Sequence, residues 1–436
     1  MKKDTVSVGI IGFGTVGSGT ARILLESAAI IRERTGFVFD LKRIADLDIT
    51  RDRGISIPKG VLTTDANEVI NDPGIDIVVE LMGGIHPAKE FMLKAIRNRK
   101  HVVTANKALL ATEGNELFAE AERAGVEIGF EASVAGGIPI IKVIREGLIA
   151  NRIIAVYGII NGTSNYIFTK MTDEKVEFSV ALEEAQRLGY AEADPTFDIE
   201  GIDSAHKLTI LASLAYGIPL SYNEVYKEGI TKITAQDIAF ASELGYKVKL
   251  LAITKATDEG IEMRVHPTMV PNEYLISKVD GVFNAVYVEG DAVGSTLYYG
   301  RGAGDMPTGS AVVADIVDIG RNIMCGGVRR IPGIASGPGT KKIKKMDDIE
   351  SMYYFRFSAL DKPGVLSRIS GILGNCNISI VSVIQKGRSN VGSVPLVVLA
   401  HRSREKDVLN AIREIDALPV VSDKTLFIRV EGKEEI

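Results

Sequence analysis

The stretch VSVGIIGFGTVG, residues 6–17, decides the fold of the first part of this chain. Its apolar start predicts a buried parallel strand, and a helical pattern follows the glycine turn GFGTVG at residues 12–17. Gly12 permits a tight turn, Gly14 lets a ligand approach the backbone, and Gly17 lets the helix pack closely on the strand. Because the start of such a helix offers free N–H groups to a pyrophosphate, this order of elements indicates a dinucleotide-binding unit.

Strand and helix patterns keep alternating after this turn. The helix is predicted over residues 16–36, a second strand over residues 37–46, and a last strand over residues 127–133. This alternation predicts an α/β fold, a Rossmann-type doubly wound parallel sheet, over residues 1–133. Glycine-rich turns and longer helical patterns over residues 134–310 predict a second, α+β domain.

The last third of the chain carries two further predictions. The helical stretch at residues 311–330 is expected to pack back on the first domain. Residues 331–349 are rich in Gly, Pro and Lys, which is typical of a linker. Residues 350–436 follow a βαββαβ pattern and predict a ferredoxin-like module.

Composition narrows the classes of function. A chain of 436 residues predicts about three domains. The net charge of −5 argues against nucleic acid as a partner, and the absence of a long apolar run argues against a membrane span. Cys325 and Cys376 are far apart and are interpreted as reduced thiols, and no signal-peptide pattern is found, so we expect a cytoplasmic protein.

The end of the second predicted strand bears on the choice of cofactor. Asp46 could accept a hydrogen bond from a ribose 2′-hydroxyl, which favours NAD. Arg43 could reach a 2′-phosphate, which favours NADP. The sequence therefore leaves the preference between NAD and NADP open.

Charged side chains that could take part in a reaction are most concentrated in GYAEADPTFDIEGIDSAHK, residues 189–207. Lys207 follows Asp203 by four positions, so a helix would place both on one face. One interpretation is a solvated acidic loop with an exposed ion pair. Another is that the carboxylates hold a substrate ammonium while Lys207 manages a proton during hydride transfer, and a third is a divalent-metal site. The carboxylates are Glu192, Asp194, Asp198, Glu200 and Asp203.

A second lysine follows a predicted strand at the carboxyl edge of the sheet. Lys107 lies in VVTANKALL, where ligands of open α/β sheets bind. It could face both nicotinamide and substrate, and the alternative is an exposed loop lysine.

Six motifs in order resemble the homoserine dehydrogenase family across about 330 residues. They are GFGTVG, VVTANKALLA, FEASVAGGIPII, NGTSNYI, GYAEADPTFDIEGIDSAHK and GRGAGDMPTG. The resemblance implies reversible reduction of L-aspartate 4-semialdehyde to L-homoserine with NAD or NADP, in the route to threonine, methionine and isoleucine. It also implies that the second domain binds substrate and forms the dimer contact.

The resemblance assigns roles residue by residue. Lys207 matches the general acid and base, and Lys107 matches the lysine that approaches substrate and cofactor. The substrate-binding acids match Glu192, Asp198 and Asp203. The cofactor-binding positions are Gly12, Phe13, Gly14, Thr15, Val16, Gly17, Arg43, Thr104, Lys107, Gly189 and Gly304.

A structural monovalent cation, usually sodium, is also implied by the resemblance. The matching positions are Glu131, Val134, Gly136 and Ile138, which bind largely through backbone carbonyls. Carbonyl ligands leave almost no side-chain signature, so the residues alone would not predict this site.

The C-terminal module resembles an ACT domain, a fold that commonly binds amino acids between modules. The matching ligand segments are Asp361 to Val365 and Asn375 to Ile378. The implied role is feedback control with threonine as effector, and the alternative is a module kept for oligomer contacts. We expect a homodimer or homotetramer.

Two other functions fit the same architecture. An oxidoreductase that acts on another amino acid or semialdehyde is one, although an aspartate-semialdehyde dehydrogenase would need a nucleophilic cysteine near a histidine. A Rossmann–ACT sensor that binds nucleotide and amino acid without turnover is the other.

Overall fold

The computed structural model describes residues 4–326, 341–386 and 392–432, and these form two compact units. The first draws on Met1–Asn161, Asp203–Val225 and Phe283–Lys341, and the second on Gly162–Ile202, Tyr226–Val282 and Lys342–Ile436. The two units interleave along the chain, and the predicted domain bounds stay predictions. Residues 331–340 of the predicted linker, and residues 327–330 before it, lie outside the described residues.

Six parallel strands build the doubly wound sheet of the first unit. They are β1 (Thr5–Ile11), β2 (Val38–Ala45), β3 (Leu62–Thr63), β4 (Ile77–Glu80), β5 (His101–Thr104) and β6 (Ile128–Gly129). Their order in the sheet is β3-β2-β1-β4-β5-β6, so the direction of winding reverses between β1 and β4. Ligands of doubly wound sheets bind at the carboxyl ends of the strands beside such a reversal.

The helices of this region follow the strands along the chain. They are α1 (Thr15–Glu26), α2 (Ala28–Thr35), α3 (Ala66–Asn71), α4 (Ala88–Arg97), α5 (Lys107–Ala124) and α6 (Ile140–Lys142). The predicted doubly wound α/β fold is confirmed.

Two predicted elements differ in the structure. The single helix predicted to end at Gly36 is broken at Ser27 into α1 and α2, and Gly36 ends α2 in the left-handed conformation with φ 82°. The strand predicted over residues 127–133 shortens to β6, because Glu131–Ser133 forms a 3₁₀ turn. The buried carboxylate of Glu131 explains this turn, since it accepts hydrogen bonds from the backbone at the start of α6.

The middle of the chain mixes strands and helices. The strands are β7 (Ile153–Ile159), β8 (Tyr226–Lys227), β9 (Tyr246–Thr257), β10 (Gly260–Pro271), β11 (Phe283–Gly290) and β12 (Gly294–Arg301). The helices are α7 (Gly162–Glu174), α8 (Phe178–Arg187), α9 (Thr196–Ile199), α10 (Ile202–Tyr216), α11 (Ala235–Glu243) and α12 (Asp305–Cys325). In the first unit β7, β11 and β12 pair antiparallel.

Helix α12 packs on helix α1 through glycines. A Cβ atom at Gly309 would lie 2.8 Å from the Gly19 carbonyl carbon, so the two helix backbones touch. Val312 and Ile316 of α12 share one hydrophobic core with Ile10 of β1. Helix α12 therefore completes the hydrophobic core on one face of the six-stranded parallel sheet.

The C-terminal module has the predicted βαββαβ order. Its elements are β13 (Glu350–Leu360), α13 (Val365–Asn375), β14 (Ile380–Gln385), β15 (Ser393–Arg404), α14 (Glu405–Asp416) and β16 (Leu426–Val430). Within the second unit the strand order is β9-β10-β16-β13-β15-β14, so β16 joins the module to β10. No helix in the described ranges combines the length and the apolar character needed to cross a bilayer.

Candidate active site

The glycine turn joins β1 to α1 at the winding reversal. Gly12 has a φ of 99°, and a Cβ atom there would lie 2.6 Å from the carbonyl oxygen of Leu81, which follows β4. Gly17 packs against the carbonyl of Gly12, so the helix meets the strand without a side chain between them. Gly14 precedes α1 and has no atom within 4 Å of the place where its Cβ would stand. The residues present therefore fit a dinucleotide, because the helix start is open to a pyrophosphate.

The two residues that bear on the choice of cofactor already have protein partners. Asp46 Oδ2 accepts a hydrogen bond from Phe13 N, 2.5 Å away. Arg43 Nη1 donates to the carbonyl oxygen of Gly60, 2.6 Å away. Arg53, which the sequence analysis missed, donates to the Phe13 carbonyl and lies over its ring at 4.8 Å. Asp46 and Arg53 thus fix the glycine turn through hydrogen bonds with the backbone of Phe13.

Two lysines converge on one carboxylate in the first unit. Lys207 Nζ lies 2.7 Å from Asp203 Oδ2, one helical turn away on α10, as the spacing predicts. Lys107 Nζ, from the first residue of α5, lies 3.3 Å from Asp203 Oδ1. Asn161 Nδ2 donates to Asp203 Oδ2 at 2.9 Å. Residues more than forty positions apart in the sequence thus meet at Asp203.

Burial separates this cluster from a surface ion pair. The side chain of Asp203 is 6% exposed and that of Lys207 is 12% exposed, whereas Lys107 is 37% exposed. The interpretation as an exposed ion pair is therefore wrong for Asp203 and Lys207. Burial alone would raise the pKa of Asp203, but the charges of Lys207 and Lys107 outweigh it and hold this pKa well below its usual range. Asp203 stays ionised and neutralises one of the two ammonium groups.

A second buried carboxylate supports the helix that carries Lys107. Glu80 Oε2 accepts from Thr104 Oγ1 at 2.6 Å, and Thr104 Oγ1 in turn accepts from Asn106 N at 3.0 Å. Asn106 caps α5 by accepting from Leu109 N at 3.1 Å. Burial raises the pKa of Glu80, although hydrogen bonds from Thr104 and from the backbone of Met82 and Gly83 oppose the shift. The network fixes the start of α5 and with it the position of Lys107.

The acidic segment before α10 lies in the second unit. Glu192 is exposed, and Asp198 is half-buried on α9. Asp194 Oδ1 accepts from Thr196 N at 3.1 Å, so it forms a local turn just before α9. Among the described residues, no three His, Cys, Asp or Glu side chains form a group that could hold a metal ion.

The predicted cation loop lies between β6 and α6 in the first unit. Glu131 accepts from Ile141 N and from Lys142 N, each at 2.8 Å. Burial raises the pKa of Glu131 to about 7, against the effect of these hydrogen bonds. Asp315 Oδ2 accepts from Glu131 N at 2.7 Å, and burial raises the pKa of Asp315 well above its usual range. Glu131 is buried and Asp315 is partly buried, and a cation nearby would favour the charged forms of both carboxyl groups.

The other predicted positions of the cation loop, and the predicted cofactor position Gly304, are marked by their backbone conformation or by burial. Gly136 has a φ of 51° directly after Ala135 with a φ of 54°, so the chain turns sharply between Val134 and Ile138. Val134 and Ile138 are buried. Gly304, with a φ of 125°, precedes α12.

Gly189, in the second unit, also has a left-handed backbone. Its φ is 75° and it follows α8, where a Cβ atom would meet nothing within 4 Å. It therefore leaves open space beside the acidic segment of that unit.

Comparison with known proteins shows the family. Family models described as homoserine dehydrogenase, as its NAD binding domain and as ACT domain match residues 139–317, 12–131 and 353–417. A homoserine dehydrogenase from Pseudomonas aeruginosa is 50% identical over 432 residues, which are 98% of this chain and 99% of that protein. The chain belongs to the homoserine dehydrogenase family. It is an NAD(P)-dependent oxidoreductase, so the interpretation as an enzyme rather than a sensor is confirmed.

Solved structures of homoserine dehydrogenases agree with this assignment. That from Thiobacillus denitrificans is 50% identical, covers 98% of each chain and has a TM-score of 0.93. A hyperthermophilic archaeal homoserine dehydrogenase in complex with NADPH is 27% identical, with a TM-score of 0.62. The match covers 74% of this chain and 100% of the archaeal chain.

Three supporting residues of this homoserine dehydrogenase site were not predicted from the sequence. Asn161 lies in a quoted motif, and its place between β7 and α7 is the signal that could have singled it out. Glu80 ends β4 at the same sheet edge as the glycine turn, where a polar residue is a candidate by position. Asp315 carries no such signal, because it lies on α12, far along the chain from Glu131.

Proposed function

We propose that this chain interconverts L-aspartate 4-semialdehyde and L-homoserine, with Lys207 as the general acid and base. The observation that carries the proposal is the buried carboxylate of Asp203 between two ammonium groups. Reduction of an aldehyde builds negative charge on its oxygen, and a positioned ammonium group stabilises that charge and supplies the proton. Asp203 neutralises only one of the two lysines, so the cluster keeps a positive charge for this purpose.

The reaction needs a hydride, which the nicotinamide supplies or accepts when it is bound. Lys207 donates its proton to the aldehyde oxygen as C4 of the substrate receives the hydride, and it takes the proton back in the reverse reaction. Lys107, the more exposed of the two lysines, holds the same oxygen or the substrate carboxylate by charge. Asn161 and Asp203 orient Lys207.

The cofactor is proposed to lie along the glycine turn and the sheet edge. Support comes from the open helix start at Gly14 and from the NADPH complex of the archaeal relative. Both Asp46 and Arg43 have protein partners, so neither fixes the preference between NAD and NADP. The proposed contacts are Gly12, Phe13, Gly14, Thr15, Val16, Gly17, Arg43, Thr104, Lys107, Gly189 and Gly304.

The substrate is a zwitterion whose ammonium group needs carboxylates. Glu192, Asp198 and Asp203 are proposed to supply them. Asp203 already has three protein donors, so few of its lone pairs are left for a ligand. Glu192 and Asp198 are therefore expected to make more of the contacts with the substrate ammonium group.

A sodium ion is proposed in the loop formed by Glu131, Val134, Gly136 and Ile138. The support is the pair of neighbouring carboxyl groups on Glu131 and Asp315, whose charged forms a cation would stabilise. The ion would hold the loop in its sharp turn. Sodium chloride should then raise the melting temperature more than choline chloride at equal ionic strength.

The ACT module is proposed to bind an amino acid effector, with threonine as the candidate. A cavity of about 80 Å³ is lined there by Asp361, Lys362, Val365 and Gln385 among others. The chain is proposed to act in threonine, methionine and isoleucine biosynthesis, in the cytoplasm, as a homodimer or homotetramer.

The test is a dehydrogenase assay on the purified full chain. L-homoserine is supplied with NAD or with NADP, with and without threonine, and absorbance of the reduced nicotinamide is followed. Lys207→Ala should lower kcat by about a thousandfold, because general acid and base catalysis is lost. The dissociation constant for NADPH, measured by its fluorescence, should stay within about twofold, because Lys207 acts in the chemical step.

Lys94→Ala is the matched control. Lys94 is an exposed lysine of α4 that donates to Asn67, and its removal should leave both quantities unchanged. Wild-type protein that reduces neither cofactor would refute the proposed activity. Near wild-type turnover of Lys207→Ala would refute the role of Lys207 alone.

A further inference from the structure

One guanidinium joins the ACT module to the rest of the second unit. Arg429 of β16 is 1% exposed, and its Nε donates to Glu405 Oε2 of α14 at 2.9 Å. Its Nη1 donates to Glu228 Oε2 at 2.7 Å. Glu405 belongs to the ACT module, whereas Glu228 follows β8. Since an unpaired buried charge is costly, the three side chains hold one another in place.

The position of Glu228 is also fixed through its backbone. Glu228 N donates to the carbonyl oxygen of Val265 at 2.9 Å, which extends the parallel pairing of β8 with β10. Tyr226 Oη donates to Glu228 Oε2 at 3.1 Å. Strand β10 also pairs in parallel with β16, where Thr268 lies opposite Arg429. Residue 228 is therefore tied to the edge of the ACT module through its side chain and, by way of β10, through its backbone.

The residues after Glu228 form the support for the acidic segment. Ile230 N donates to the carbonyl oxygen of Ile199 at 2.9 Å. A Cβ atom at Gly229 would lie 2.5 Å from Glu200 Oε2 and 2.7 Å from the Ile199 carbonyl oxygen, so the two backbones are in direct contact. Gly201 is also close to β10, since its Cβ would lie 3.1 Å from Val265 Cγ1.

The supported segment carries a proposed substrate ligand. Residues 196–201 include Asp198, whose carbonyl oxygen accepts from Ser164 Oγ at 3.0 Å and from Gly201 N at 3.3 Å. The segment is thus held by α7 on one side and by residues 228–230 on the other. Each of these contacts lies within the second unit.

We propose that Glu228, held by Arg429 of the ACT module, is a positioning residue for the substrate-binding segment at residues 196–201. The inference rests on the proposed function, because it takes Asp198 as a ligand of the substrate ammonium. Glu228 touches neither substrate nor cofactor and acts through the backbone at Gly229 and Ile230. Its loss should loosen the segment and weaken substrate binding without changing the chemical step.

The first experiment measures the segment directly. Hydrogen exchange of the full chain is followed by mass spectrometry in wild type, Glu228→Ala and Glu228→Gln. Glu228→Ala should speed exchange in peptides that cover residues 196–201 by about tenfold, because the hydrogen bonds to Arg429 and Tyr226 are lost. Glu228→Gln keeps an oxygen acceptor and should stay within about threefold of wild type.

The second experiment measures the consequence for the substrate. Glu228→Ala should raise KM for L-homoserine by about tenfold while kcat stays within about twofold, the pattern of a lost binding contact. In the Asp198→Asn background Glu228→Ala should add less than about twofold, because both changes remove the same contact. Gly229→Ala, which pushes on the segment and leaves the ion pair intact, should raise KM in the same way.

Glu243→Ala is the matched control. Glu243 of α11 also pairs with a cation of the C-terminal module, Lys386, but both side chains are exposed. Its removal should change neither exchange nor KM. Exchange at residues 196–201 that equals wild type in Glu228→Ala, or that rises equally throughout the second unit, would overturn the inference. Hydrogen exchange needs no turnover, so an inactive wild type would refute the proposed function while the support of residues 196–201 by Glu228 could still be measured.

Discussion

Two buried ion clusters, one in each unit, consist of similar residues but have different roles. Around Asp203, two lysines share one carboxylate, and Lys107 is 37% exposed. Around Arg429, a guanidinium is shared by Glu405 and Glu228, and its own side chain is 1% exposed. The first cluster keeps a surplus positive charge that can meet a ligand. The second cluster is nearly closed: its most exposed side chain, that of Glu228, is 20% exposed, and its three charges pair with one another.

The difference shows how a buried ion cluster that can bind a substrate differs from one that holds the fold together. A charge at the edge of solvent can exchange partners with a substrate, because little is lost when water or ligand replaces it. A fully buried charge cannot, because any loss of its partner leaves an uncompensated ion. Exposure of one member therefore indicates function better than the number of charges does.

The largest effect is expected from removing Arg429 from its buried ion cluster. Arg429→Met should lower the free energy of unfolding of the full chain by about 3 to 5 kcal/mol, because Glu405 and Glu228 lose their buried partner. The measurement is the urea midpoint at pH 7. The paired variant Arg429→Met with Glu405→Leu should recover at least half of the loss, since it also removes the fully buried carboxylate and leaves only Glu228, which is 20% exposed. A loss below about 1 kcal/mol in the single variant would contradict the comparison.

A smaller effect on activity is expected from the open cluster. Asp203→Asn keeps the shape of the side chain but removes the charge that holds Lys207 and Lys107, and kcat should fall by about a hundredfold. Steady-state rates with L-homoserine measure this. Asp194→Asn, an exposed carboxylate of the same acidic run, should stay within about twofold. Equal effects of the two variants would show that burial of Asp203 has no bearing on catalysis.

The smallest effect is expected when the pH is lowered. Burial raises the pKa of Glu431, but Lys255 and Arg264 outweigh it and lower this pKa to about 2, from 4.5. A lowered pKa adds stability that is fully present above pH 4.5 and is lost as the pH falls toward 2. Urea midpoints of wild type should therefore drop between pH 5 and pH 3.

Glu431→Gln provides the control for this acid effect. This variant cannot ionise, so its midpoint should be lower than wild type at pH 7 and should depend less on pH. Parallel curves for the two proteins would argue against a charged Glu431 beside Lys255 and Arg264.

Local patterns in the sequence predicted local parts of the site. The spacing of four between Asp203 and Lys207 predicted their ion pair, and the glycine turn predicted the strand, turn and helix around Gly14. Both depend on geometry within one or two elements. The βαββαβ pattern of the C-terminal module was predictable for the same reason.

Contacts between distant residues were beyond such patterns. Lys107 and Asn161 meet Asp203 only because the sheet and α10 bring them together. Arg429 and Glu228 are 201 positions apart, and no spacing rule links them. The helix break at Ser27 was missed because no proline or glycine marks it.

The contact of α12 with α1 has a consequence for how the chain is made. Synthesis proceeds from the N-terminus, and domains generally fold as they leave the ribosome. Here the core that holds Ile10 is completed by Val312 and Ile316. The nucleotide-binding sheet is therefore finished only after residue 325 has been translated. Until then the emerging chain exposes apolar core residues such as Ile10 and Leu24, which is the kind of surface that chaperones recognise.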